Sequence, residues 1–311
     1  MYFLGFNWNP DGTLLKLGFI QLKYYNLLWI AAFLVGWVII KRIFLNEKKT
    51  IQQVDSLFIY GLVSIMLGAR LGHVIFYQPE LFSQDPLSIL LPIRTVPEFE
   101  FTGFAGLASH GATIAAIVGV WLYCRKWKDI KMLWLLDKMV IPSAIGASFV
   151  RLGNFFNSEI NGKEVKESFA FAVRFIRDSD DMPASKAIAL TKEKSVSAAY
   201  KAIENKPEFA SILESIPYRH PAQLYEAICY FFVFILLYKL YWKTDKKNKT
   251  GYLFGLFMVC LWTVRFVVEY FKKSQGGFEE SLGFLSTGQW LSIPMIFVGL
   301  YFMFRPSPQK Q

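Results

Sequence analysis

Cysteine and histidine are scarce in this sequence, with three of each in 311 residues. Cys124, Cys229 and Cys260 fall singly in or beside apolar runs, which excludes a disulfide framework or a CxxC metal or redox site and leaves buried inert thiols as the expectation. There is no HExxH motif and no pair of acids at metal-ligand spacing, so neither a metal nor another cofactor is expected. There is no G-x-S-x-G elbow either, which disfavours a serine hydrolase carrying its own nucleophile. No internal repeat stands out, so an inverted-repeat transporter has no support. The first twenty residues hold the turn Asn9-Pro10-Asp11-Gly12 and no small-residue cleavage site after an apolar core, so no removable signal peptide is expected. Charge is thin as well. Only 19% of the residues are Asp, Glu, Lys or Arg, against 54% hydrophobic and 17% aromatic, a balance that a soluble core of this size could not absorb.

What is present is a series of apolar runs, at 24–40, 54–77, 103–124, 132–153, 221–242, 251–271 and 284–304. Most reach the ~20 residues a helix needs to cross ~30 Å of hydrocarbon. The expected fold class is therefore an all-α polytopic membrane protein with seven transmembrane helices. The net charge of +10 does not point to nucleic acid, because Lys and Arg cluster at the ends of apolar runs. Lys41, Arg42, Lys48 and Lys49 follow the first run, Arg125, Lys126, Lys128 and Lys131 the third, and Lys243, Lys246, Lys247 and Lys249 the fifth. The second and sixth connections have acids beside their few bases: Glu80, Asp85, Glu98 and Glu100 with Arg94, and Glu279 and Glu280 with Lys272 and Lys273. The positive-inside rule then puts the N-terminus outside and the C-terminus, with Arg305 and Lys310, inside. The fourth connection is too long for a turn and too polar for lipid. The expected organisation is transmembrane helices one to four over 1–153, a small α+β extracytoplasmic head over 154–220, and helices five to seven over 221–311. Within the head, 168–175 reads as a strand and 183–205 as a helical piece.

Given that topology, the ionisable residues inside the spans gather at one level. Arg70 and His73 lie in the outer half of the second run, His110 opens the third, and Arg151 and Asn154 close the fourth. His220, Gln223, Tyr225 and Glu226 open the fifth, Arg265 and Glu269 lie in the outer half of the sixth, and Tyr25 begins the first. Each intramembrane charge costs roughly 2.5–3.5 kcal/mol on insertion scales, so such a gathering implies mutual pairing or a wet cleft. Arg265 and Glu269 stand at i and i+4 and are expected to pair, whereas Arg151 and Arg70 have no obvious local partner. Bland readings compete: an interfacial belt for Tyr25, snorkelling or cross-helix pairing for Arg70, and a solvated interfacial pair for Asp137 and Lys138. Unpaired arginines at headgroup level suit a phosphate, whose oxygens match the guanidinium fork. A phosphodiester held by Arg151 and Arg265 would have its leaving charge stabilised, a neutral His110 would accept a proton, and Asn154, Asn157 and Glu159 would orient a polar headgroup. No residue looks like the enzyme's own nucleophile, so a second substrate is expected to bring it.

The densest polar stretch is Phe149-Val150-Arg151-Leu152-Gly153-Asn154-Phe155-Phe156-Asn157-Ser158-Glu159-Ile160-Asn161-Gly162-Lys163. It resembles the signature of bacterial prolipoprotein diacylglyceryl transferases, G-G-R-[hydrophobic]-G-N-F-[hydrophobic]-N-G-E-[hydrophobic]-[any]-G-R. The resemblance runs nearly end to end. It takes in Gly68-Ala69-Arg70-Leu71-Gly72, Ser109-His110-Gly111, Arg219-His220-Pro221-Ala222-Gln223-Leu224-Tyr225-Glu226, Arg265-Phe266-Val267-Val268-Glu269 and Leu285-Ser286-Thr287-Gly288-Gln289. The sequence departs from the pattern at Phe149, Val150, Ser158 and Lys163, and has Ala112 after His110-Gly111 where the family usually has glycine. Lys163 keeps the charge but loses the bidentate geometry of arginine.

The resemblance implies a seven-helix enzyme of the bacterial inner membrane, with its active site facing the outer leaflet. It would move the diacylglyceryl group of phosphatidylglycerol to the lipobox cysteine of a preprolipoprotein, forming a thioether and releasing glycerol phosphate. It carries over Tyr25, His110, Arg151, Asn154, Glu159, Gly162, Arg265 and Glu269 as important residues, and it alone raises Tyr25 from belt aromatic to site candidate. Arg70 and Asn157 join the substrate-binding expectation. The rival reading is a lipid or anion transporter with an outer-leaflet cleft, which would need matching polar residues in the inner halves of the spans; beyond Asp137 and Lys138 few are present.

Overall fold

A computed structural model describes residues 5–17, 20–91, 93–96, 98–101, 106–273 and 284–306. Gly103, at the expected start of the third run, and Glu279, Glu280 and Lys310, used for orientation, lie outside the described residues. The strands are β1 (Phe6–Trp8), β2 (Thr13–Leu17), β3 (Ile20–Lys23), β4 (Ile93–Arg94), β5 (Glu100–Phe101), β6 (Val173–Phe175) and β7 (Tyr218–Arg219). The helices are α1 (Tyr24–Asn46), α2 (Ile51–Tyr77), α3 (Leu81–Gln84), α4 (Leu87–Leu90), α5 (Ser109–Lys126) and α6 (Met132–Phe156). They continue with α7 (Ala184–Thr191), α8 (Val196–Asn205), α9 (Ala210–Ser215), α10 (Ala222–Lys243), α11 (Tyr252–Val268) and α12 (Thr287–Phe304).

Six of these are long and apolar enough to cross a membrane: α1, α2, α6, α10, α11 with the 3-10 turn that extends it to Phe271, and α12. The chain is thus a mostly helical, multi-pass membrane protein. The run expected as the third span forms α5, whose 18 residues open on Ser109-His110 and close on Arg125-Lys126, which dilutes its apolar character. Two compact units make up the chain, Met1–Ile39 with Asp137–Gln311, and Ile40–Leu136.

In the first unit, α6 does not stop at Gly153 but continues to Phe156, so Arg151 and Asn154 are helical residues. The N-terminal segment joins the 154–220 segment: β1 pairs in parallel with β6, Phe6 against Val173 and Trp8 against Phe175, and β6 pairs antiparallel with β7. The expected strand over 168–175 is shorter, because Phe169 and Ala172 bond back to Lys166 and Phe169 in turns and only Val173–Phe175 reaches the sheet. The expected helix over 183–205 is broken into α7 and α8 at Lys192, which takes φ +57° and ends α7. Ser195 then caps α8 by accepting from Ala198 N. Ile176, Met182, Ala187, Ala199, Tyr200, Ile203 and Ile216 form the core of this segment. Asn9 is tied to it by Nδ2 bonds to Glu204 at 2.8 Å and Tyr200 O at 3.1 Å.

Asp137 and Lys138 are not a solvated interfacial pair: each is 1% exposed. Asp137 accepts from Gly251 N and Phe254 N, satisfying orphan amides at the start of α11. Lys138 donates to Lys247 O at 3.1 Å and lies over the Tyr241 ring. Both are structural partners of a helix end.

In the second unit, α2 and α5 cross backbone to backbone. A Cβ on Gly72 would lie 2.6 Å from Gly111 Cα, and one on Gly111 would lie 2.7 Å from Gly72 Cα. Small residues at such a crossing let two helices approach without side chains between them. Gly68-Ala69-Arg70-Leu71-Gly72 and Ser109-His110-Gly111 are thereby explained in large part as one packing contact.

Candidate functional site

The signature stretch makes a tight hook after α6. Glu159 N donates to Asn154 O at 3.0 Å, folding the chain back on the helix end, and Ser158 and Ile160 take φ +56° and +60°. The Glu159 carboxylate is the hub of the hook: Asn154 Nδ2 reaches Oε2 and Asn157 Nδ2 reaches Oε1, each at 3.1 Å. Asn161 Nδ2 donates to Ser158 O and to Asp178 Oδ2, and Gln223 Nε2 of α10 donates to Glu159 O and Asn161 Oδ1, both at 2.6 Å. These bonds satisfy the polar backbone of a buried turn and fix the hook against α10.

Gly162 is the point where three segments meet. Its N–H donates to His220 O at 2.9 Å, and a Cβ on it would lie 2.5 Å from His220 Cβ and 2.6 Å from Phe271 O. Lys163 N then donates to Phe271 O at 2.7 Å, tying the hook to the end of the sixth run. Its glycine is required by close backbone approach. His220 packs between the rings of Phe169, Tyr225 and Phe271, with Nδ1 3.1 Å from the Tyr225 hydroxyl. Burial, and secondarily the Lys163 charge, hold its imidazole below the usual pKa of 6.5.

Arg151 has a partner that sequence alone did not identify. Its Nε lies 2.7 Å from Oε2 of Glu226, a fully buried residue of α10. The other Glu226 oxygen accepts from Lys272 Nζ at 2.9 Å, and the same ammonium lies 3.4 Å from Glu269 Oε2. The result is a chain of alternating charge from α6 through α10 to the end of the sixth run: Arg151, Glu226, Lys272, Glu269. Arg265 stands beside it without joining it. The expected pair of Arg265 with Glu269 is not among the ion pairs of the described residues, because Glu269 opens the 3-10 turn after α11 and turns toward Lys272. The Glu269 carboxylate rests instead on the first turn of α12: a Cβ on Gly288 would lie 2.6 Å from Oε1 and 2.7 Å from Oε2. Ser286 and Gln289 form a capping box there, and the positive end of a helix favours an anion. Arg265 lies over the Trp262 ring, its Nε buried with no hydrogen-bond partner among the described residues. Arg151, Arg265 and Glu226 are all within electrostatic reach of Tyr230. Tyr25 of α1 lays its ring on α6, so that a Cβ on Gly153 would be 2.7 Å from its Cδ2.

The first unit thus brings together Tyr25, Arg151, Asn154, Asn157, Glu159, Gly162, Arg265 and Glu269. Arg70 and His110 belong to the second unit. Arg70 is engaged by backbone: Nε donates to Ile89 O at 3.0 Å and Nη2 to Ser88 O at 2.6 Å, anchoring α4. His110 is exposed in the first turn of α5, its ring edge-on to Phe76 at 4.9 Å between centroids.

A family model described as prolipoprotein diacylglyceryl transferase matches residues 12–305. This chain belongs to the prolipoprotein diacylglyceryl transferase family. Similar proteins named phosphatidylglycerol–prolipoprotein diacylglyceryl transferase occur in Bacteroides fragilis, 36% identical over 97% of this chain and 95% of the relative, and in Tolumonas auensis, 34% identical over 97% and 98%. A third, from Porphyromonas gingivalis, is 33% identical over 96% and 93%. Membership of a transferase family supports the enzyme reading and not the transporter one. For a prolipoprotein diacylglyceryl transferase, the residues missed as site partners are Glu226 and Lys272. Glu226 was visible as an acid opening the fifth run, but only the fold sets it opposite Arg151; Lys272 read as a connection lysine until the 3-10 turn carried it inward.

Proposed function

We propose that this chain transfers the diacylglyceryl group of phosphatidylglycerol to the thiol of a lipobox cysteine in a preprolipoprotein. The observation that carries the reading is a pair of arginines, both within electrostatic reach of Tyr230: Arg151, held at Nε by Glu226, and Arg265, whose buried Nε has no hydrogen-bond partner among the described residues. Two such forks suit the non-bridging oxygens of a phosphodiester. The thiol sulfur attacks the glycerol carbon that bears the phosphate. A C–S bond forms, the C–O bond to phosphate breaks, and glycerol phosphate leaves with one more negative charge, balanced by the thiol proton. The arginines stabilise that charge as it develops. The Asn154–Asn157–Glu159 hub orients the headgroup, Glu269 holds the local charge balance, and Tyr25 lines the lipid side of α6. From the sequence pattern His110 is the proposed proton acceptor, while Arg70 anchors α4 within the second unit.

This function fits seven transmembrane helices, α5 completing the six, in a bacterial inner membrane with the N-terminus outside and the C-terminus inside. The 154–220 segment is then an extracytoplasmic α+β head over an outer-leaflet cleft, between membrane segments at 1–153 and 221–311, with β1 as part of it. The test is transfer from labelled phosphatidylglycerol by the wild type and by Arg151→Ala and Arg265→Ala variants that melt as the wild type does in detergent. Loss of at least a hundredfold in kcat/KM is expected in each; wild-type rates in either would overturn the two-arginine clamp.

A further inference from the structure

We infer that Glu226 and Lys272 act as a positioning pair that fixes how Arg151 is presented, an inference that rests on the phosphodiester reading above. Glu226 is fully buried and reaches Arg151 Nε through Oε2 and Lys272 Nζ through Oε1. Lys272 is itself only 6% exposed and lies within 3.4 Å of Glu269. The two oxygens of one carboxylate are thereby divided between two cations. That division decides what Arg151 can do. A carboxylate with both oxygens available takes arginine in a fork, engaging two of its nitrogens. With Oε1 held by Lys272, Glu226 meets Arg151 through Oε2, and the shortest contact, 2.7 Å to Nε, is an ion pair rather than an aligned hydrogen bond.

Charge balance leads to the same assignment. Arg151 and Lys272 offset Glu226 and Glu269, so the fifth member, Arg265, brings the group to +1, matching a singly charged phosphodiester. Removing the Lys272 charge makes the group neutral and releases Oε1 to close on Arg151, weakening lipid binding from both directions. Lys272 acts on Arg151 through Glu226.

The experiment measures kcat and KM for phosphatidylglycerol in detergent micelles containing a fixed lipobox peptide. The variants are Lys272→Met, Lys272→Arg and the double variant Glu226→Gln with Lys272→Met, which removes both charges of the buried Glu226–Lys272 pair together and leaves the net charge of the group unchanged. For Lys272→Met, KM should rise at least tenfold with kcat changed by less than threefold, and Lys272→Arg should restore KM to within threefold of wild type. If Lys272→Met does not fold, the double variant carries the test: without its carboxylate Arg151 loses its fixed orientation, and KM should again rise at least tenfold. A wild-type KM in the folded single or double variant overturns the positioning role. An equal fall in kcat for Met and Arg, with KM unmoved, overturns it as well. Absence of transfer by the wild-type protein is a different result, and it would overturn the proposed function instead.

Discussion

Replacing Ser158 by glycine should make the protein more stable, by an amount that the local geometry sets. Ser158 holds φ at +56°, a region that costs an L-residue about 1–2 kcal/mol. Glycine enters it without that penalty but gives back roughly 0.5–1 kcal/mol through the greater freedom of its unfolded chain. The serine is also 3% exposed and its hydroxyl has no hydrogen-bond partner among the described residues. A buried unbonded hydroxyl costs about 1–3 kcal/mol. The residue borders a polar cavity of about 210 Å³ that it shares with Glu159, Asn161 and Asp180, and the lower end of that range is used. The hook's own bonds use backbone atoms at this position, Ser158 N to Phe155 O and Asn161 Nδ2 to Ser158 O, and glycine keeps both. The net gain is about 1–2 kcal/mol, corresponding to roughly 1.5–3 °C in melting temperature for a chain of this size. Thermal unfolding in detergent, followed by tryptophan fluorescence, reads it directly. A melting temperature equal to or below that of the wild type would refute the account of strain in the hook.

Gly162→Ala should act in the opposite direction, because its Cβ would meet His220 and Phe271 backbone at 2.5–2.6 Å; overpacking of this kind costs about 1–3 kcal/mol, seen as a lower melting temperature and poorer yield of folded protein. Gly288→Ala should spare the fold more than the activity, since the clash is with the movable Glu269 carboxylate; transfer should fall at least fivefold while the melting temperature changes by less than 3 °C. His220 gives a pH signature. Its folded-state pKa lies below the ordinary 6.5, so below that pH the unfolded chain takes up a proton that the folded one resists. Stability should therefore fall as pH drops from 7.5 toward 5.5, and His220→Gln should flatten that part of the profile in melting measurements.

The membrane character and most of the helix set were legible because long apolar runs leave few other structures open to them. The signature stretch was legible as a polar burst, and its hook follows from amides placed near one acid, Glu159. What sequence did not show arises from contacts distant in the chain. Arg151 meets Glu226 across 75 positions, and β1 is a three-residue strand whose pairing with β6 has no local periodicity to announce it. The expected Arg265–Glu269 pair followed helical spacing, but the helix gives way to a 3-10 turn at Glu269, where Lys272 and the first turn of α12 compete for the carboxylate. Asp137 and Lys138 misled for a related reason: charges at the end of an apolar run read as solvated, whereas these two serve the neighbouring helix start and the 3-10 turn before it.

The most direct measurement uses purified protein, phosphatidylglycerol labelled in its acyl chains, and a synthetic lipobox peptide with its cysteine intact or replaced by serine. The account predicts label on the cysteine peptide alone, joined by a thioether and matched mole for mole by released glycerol phosphate. Label on neither peptide, or equal label on both, would contradict it.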